Sequence, residues 1–62
     1  MWENIIRHQV RIGDKVRRED GTTSQVVKVG RTGPVGQEVT ITYADGRVET
    51  ADADGGLWIS FV

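Results

Sequence analysis

The sequence predicts an all-β chain, a small five-stranded barrel preceded by a short N-terminal extension, and three observations predict it. The apolar residues are mostly β-branched: nine Val and five Ile stand against one Leu and three Ala, and six Thr push the same way. Such side chains suit a pleated, half-buried surface and lose rotamer freedom in a helix. Eight Gly and one Pro supply turns for several short strands. The apolar positions alternate over short runs, the period of a strand with one buried face.

Sixty-two residues without cysteine allow one small domain, with residues 1–8 as extension and 9–62 as barrel. A chain this short buries only about 60% of its unfolded surface, which leaves a thin core and room for one shallow site. No apolar run approaches the roughly 18 residues of a membrane span, and the first ten residues lack the pattern of a secretory signal. A soluble, cytoplasmic protein is the expectation.

The start reads two ways. Ile6, His8, Val10 and Ile12 fit one face of a strand, while Trp2, Ile5, Ile6 and Val10 fit a helical stripe; extended chain is expected from about Gln9, with residues 2–8 as strand or a single helical turn. Gly13-Asp14 stops either. Between Val16 and Val27, a four-residue loop over 20–23 would put Val16, Val27 and Val29 on the inner face and Arg17, Val26 and Lys28 on the outer one. The run Gly30 to Gly36, with three glycines and the only proline, marks a mobile connection. Asp45-Gly46 is the signature of a tight type I′ hairpin turn, which would pair Tyr43 with Val48 and Thr42 with Glu49. Residues 52–56 form another loop, and Leu57 to Val62 read as a last strand with Leu57, Ile59 and Phe61 inward and Trp58 outward.

The stretches Ile12-Gly13-Asp14-Lys15-Val16-Arg17, Gln25-Val26-Val27-Lys28-Val29 and Val39-Thr40-Ile41-Thr42-Tyr43-Ala44-Asp45-Gly46 resemble the small SH3-like barrels of the Tudor and KOW type over about residues 9–62. The resemblance implies five short strands and a late Asp-Gly hairpin; its motifs are turns and alternation, so it carries architecture rather than activity. An aromatic cage of the Tudor kind would have only Trp2, Tyr43, Trp58 and Phe61 to draw on, two of which the core needs. The opening Gly13 to Arg18 is also similar to that of the plasmid-encoded, pore-type dihydrofolate reductases, but Leu57-Trp58-Ile59-Ser60 stands where those enzymes carry Val-Gln-Ile-Tyr.

Chemistry is sparse. One His and no Cys leave no nucleophile–base pair to read. Asp52-Ala53-Asp54-Gly55 opens like a calcium loop but lacks its remaining ligands and reads as an acidic turn. No catalytic residue, metal ligand or cofactor is therefore assigned. Charge is more informative: residues 1–31 hold seven Lys or Arg against four acids, a balance of +3, and residues 32–62 one Arg against five acids, a balance of −4. Arg7, Arg11, Lys15, Arg17, Arg18, Lys28 and Arg31 would form a basic face if their strands are neighbours.

The expectation is a non-enzymatic binding module, a bacterial or bacteriophage-type accessory protein that docks on a larger protein. Its candidate binding residues are Trp58, Trp2, Arg17, Arg18, Arg11, Lys28 and Arg31. Nucleic-acid binding through the basic half is the alternative, set against a pI of about 5.7. A homodimer would also cover Trp58.

Overall fold

The computed structural model describes residues 1–60. The inward position expected for Phe61 lies outside the described residues.

The chain is all-β, one antiparallel sheet of six strands rather than five: β1 Trp2–Ile6, β2 Lys15–Arg17, β3 Thr23–Thr32, β4 Glu38–Tyr43, β5 Val48–Asp52 and β6 Gly56–Ser60. Their order is β1-β6-β2-β3-β4-β5. The sheet is not closed, and β1 and β5 are its edges.

The N-terminal segment resolves into both of its readings in succession: Trp2–Ile6 is a strand, and Arg7–Gln9 is one turn of 3₁₀ helix. The single inner face proposed for residues 6–12 does not form. Val10 is buried, but Ile6 and Ile12 are 44% and 69% exposed, because the helical turn interrupts the alternation. Backbone bonds from Arg7 N–H to Gly55 and from His8 N–H to Ala53 tie this turn to the loop before β6.

Both Asp-Gly hairpins adopt one solution, and it differs from the two loops expected. Arg18 N–H donates to Thr22 and Gly21 N–H to Arg18; Tyr43 N–H donates to Arg47 and Gly46 N–H to Tyr43. Each loop thus has three residues, a four-residue turn closed by a glycine at φ +85° (Gly21) or +89° (Gly46), while among the described residues no non-glycine has positive φ. A type I′ turn needs positive φ at two consecutive residues, so Asp45 excludes it. In each loop the aspartate accepts the N–H two residues on, Thr22 to Asp20 at 3.0 Å and Arg47 to Asp45 at 3.1 Å, which fixes the turn locally.

The first loop is one residue shorter than expected and the second one residue longer, and both registers shift. Thr42 faces Val48 and Ile41 faces Glu49, leaving Val48 62% exposed. Val16 faces Ser24. Val26 is buried and Val27 is 48% exposed, the reverse of the expected pair, because β3 carries a bulge between Val26 and Lys28. The bulge adds a residue to one strand, so Val26 and Val29 both turn inward although three residues apart. Gly30, Arg31 and Thr32 belong to β3 rather than to the connection; the turn spans residues 33–37, with Thr32 facing Glu38.

The core consists of Val10, Val16, Val26, Val39, Ile41, Tyr43, Ala53, Leu57 and Ile59, with Ile5 and Val29 packed against it. Leu57 and Ile59 alternate with the exposed Trp58, as the sequence pattern required.

The two hairpin loops are clamped to each other. Arg18 pairs with Asp45 at 2.8 Å and Arg47 with Asp20 at 3.1 Å, so each loop gives one cation and receives one. The Asp20 carboxyl is pulled down from 3.8 to about 2, first by the Thr22 hydroxyl and backbone N–H and then by Arg47. Asp45 is lowered too, chiefly by its bond to Arg18. A carboxyl with a depressed folded-state pKa contributes stability that is present above its unfolded value and lost as pH falls through the folded one. Stability should therefore decline between about pH 4 and pH 2. Asp20→Asn should flatten that decline in melting temperature against pH; coincident profiles would show that the clamp plays no part in it.

Candidate binding face

The outer face of β1, β6 and β2 brings together the half-buried Trp2 and the exposed Trp58. β6 lies between the other two, with Asn4 and Arg17 flanking Trp58 from either side and Trp2 facing Ser60. Strand alternation turns Val16 and Ile59 into the core and Arg17 and Trp58 out of it. The Arg17 guanidinium then stands 5.0 Å from the centre of the Trp2 ring and 5.4 Å from that of Trp58, a cation held between two indoles. Trp58 is still 43% exposed there. A guanidinium over an indole face is attracted by the ring quadrupole, by about 0.5–1 kcal/mol at an exposed site. The stack also limits the rotamers of three large side chains, so less freedom remains to be lost on binding.

The other cations disperse. Lys15 shares the outer side of β2 with Arg17, and Lys28 sits on β3 facing Thr42. Arg11 lies in the exposed turn before β2, its N–H donating to Asp14, and Arg31 lies near the far end of β3 facing Val39. Arg18 does not belong to an outer face: its side chain is only 8% exposed, paired with Asp45, bonded to the Thr22 hydroxyl and stacked 5.0 Å from the Tyr43 ring. Arg7 is likewise engaged internally, donating to the Asp52 and Gly56 carbonyls. Two of the seven cations are thus spent on the fold, and the stripe expected from the sequence shrinks to Lys15, Arg17 and Lys28.

An open cleft of about 810 Å³ follows the unclosed side of the sheet, lined by Arg7, Arg18, Glu49, Ala51 and Leu57 and reaching Trp58. Burial, and next the Glu49 charge, push the Tyr43 hydroxyl up to about 12, against the pull of Arg18. Tyr43 Oη, Arg18 Nη1 and Arg7 Nε are buried without a hydrogen-bond partner. Closed off from solvent, they offer a ligand no donor as the side chains stand. Among the described residues no three His, Cys, Asp or Glu side chains gather into a metal site, and no helix is long and apolar enough to cross a membrane.

Comparison of the chain with protein-family models, with curated proteins and with solved structures finds no match.

The convergence of Trp2, Arg17 and Trp58 escaped sequence reasoning. Each was a candidate alone, but their meeting depends on β6 lying between β1 and β2, a long-range pairing with no local signal.

Proposed function

We propose that the chain is a non-enzymatic binding module that docks on a larger protein through the outer face of β1, β6 and β2. The observation that carries this reading is the Trp2–Arg17–Trp58 stack, in which Trp58 is exposed and Trp2 and Arg17 are half-buried. Trp and Arg dominate the energetic centres of protein interfaces, and a pre-ordered stack presents both at low entropic cost. The neighbouring exposed Ile6 extends the patch with apolar surface. A bacterial or bacteriophage accessory role, in the cytoplasm, fits so small a chain.

The scaffold is read as an SH3-like barrel. What supports that reading is that strands β2 to β5 run as a meander and β6 returns to pair with β2. β1 is then an addition to its β6 side.

Nucleic-acid binding is the second reading, favoured by Lys15, Arg17 and Lys28 beside an exposed indole. It is the weaker one, since Arg7 and Arg18 are engaged internally and the formal charge is −1. Trp58→Ala, folded by circular dichroism, should weaken binding of the captured protein at least about tenfold. Capture of a single-stranded oligonucleotide instead, lost steeply with added salt, would favour the second reading and overturn the first.

A further inference from the structure

We infer that the free edge of β1 pairs antiparallel with β1 of a second copy of this chain, about a two-fold axis at Asn4. The dimer would use Trp2 and Ile6, which also border the proposed docking face, while the centre of that face at Arg17 lies two strands in from the edge.

Hydrogen-bond parity identifies the free groups. Arg7 N–H donates to Gly55, just beyond the Ile6–Gly56 pair, so the odd residues of β1 bond β6. The N–H and C=O groups of Trp2 and Asn4 and the N–H of Ile6 therefore point away from the sheet without a partner on it, because bonding direction alternates along an antiparallel ladder, while the Ile6 carbonyl caps the 3₁₀ turn. Pairing about Asn4 sets Trp2 against Ile6 of the second copy, Asn4 against its twin, and Ile6 against the second Trp2. Three paired positions result; the free groups of Trp2 and Asn4 and the Ile6 N–H find partners, and the Ile6 carbonyl, which caps the 3₁₀ turn, would accept its cross-copy bond on its second lone pair.

The side chains match in the same register. Trp2 and Ile6 share the outer side of β1, where Ile6 is 44% exposed, and would cover each other across the axis. Glu3 would face Ile5 of the second copy, so no like charges are opposed. The opposite edge lacks this fit. β5 carries Glu49 and Asp52 within five residues, and Arg7 Nη1 already occupies the Asp52 carbonyl at 2.9 Å. Natural edges are blunted by charge, proline, bulges or cover; β5 shows such devices, whereas the described part of β1 has only Glu3, directed to the other face.

A five-residue strand pair is small beside the roughly 1,200–2,000 Å² of a stable interface, so the dimer should depend strongly on concentration. Sedimentation equilibrium from micromolar to millimolar protein should show the mass rising from 6.9 kDa towards twice that value. Over the same range, amide exchange at Trp2, Asn4 and Ile6 should slow, while that at Glu3 and Ile5 stays constant. Asn4→Pro removes an edge N–H that makes no bond to β6, and Ile6→Lys places a charge on the seam; each should hold the protein at the single-chain mass with its circular dichroism unchanged. Should Asn4→Pro fail to fold, Ile6→Lys carries the test. A single-chain mass throughout the range, or an unaltered rise in the folded variants, would overturn the inference. Loss of protein docking in Trp58→Ala would leave it untouched.

Discussion

Ile41→Ala should destabilise the protein by about 2–5 kcal/mol, lowering the melting midpoint by well over ten degrees or abolishing the cooperative transition. Ile41 is fully buried at the centre of β4, between Val29 on one side and Glu49 on the other. Valine is the commonest residue of the core around it, short and restricted at χ1, so neighbours can do little to refill the cavity. A chain of this length has only about 3–9 kcal/mol of total stability to lose. Thr40→Ala is the control on the opposite face. Its hydroxyl meets that of Thr50 at 2.8 Å across the strands, a contact worth well under about 1 kcal/mol. Equal denaturation midpoints for the two variants would place β4 one residue out of register.

Gly46→Val should cost about 2 kcal/mol through the backbone alone. Gly46 sits at φ +89°, and a Cβ added there would meet nothing within 4 Å. The penalty is therefore one of conformation and not of collision: left-handed backbone costs an ordinary L-residue about 1–2 kcal/mol, and a β-branched one is its poorest occupant. Gly46→Asn should be milder, since asparagine visits that region more readily. Gly30→Ala, at a position with open space and no positive φ, should lose far less than Gly46→Val. Thermal melts of the three variants give the ranking. A Gly46→Val midpoint equal to that of Gly30→Ala would mean that the three-residue loop is misassigned.

These variants also show what the sequence could carry and what it could not. The last strand was legible because Leu57, Trp58 and Ile59 alternate without interruption, and tertiary structure kept the alternation. The hairpins were legible in position only. Asp-Gly suits a type I′ turn and also a three-residue loop with glycine in the left-handed region, and the two differ by one residue of register. That residue decides whether Val48 faces in or out. The bulge at Val27 hid Val26 from a period-two reading for a related reason: the strand changes phase where its partner does not. At the start, the apolar spacing of Trp2, Ile5 and Ile6 suits a helix, yet the edge of β6 captured the segment as a strand, since pairing to an existing sheet outweighs a weak local preference. Arg18 counted as a surface cation because no local pattern announces an inward arginine. It follows directly on β2 with the inward parity of Val16, and the Tyr43 ring and Asp45, twenty-five or more residues away in the chain, receive it.

Photo-crosslinking tests the proposed docking face most directly. A photoreactive residue at position 15, on the outer side of β2 two residues from Arg17, should form a protein adduct with the partner, and the same residue at position 50, on the outer side of β5, should not. Protein adducts at position 50 and none at position 15, or an adduct at position 15 that proves to be nucleic acid, would contradict docking through the Trp2–Arg17–Trp58 face.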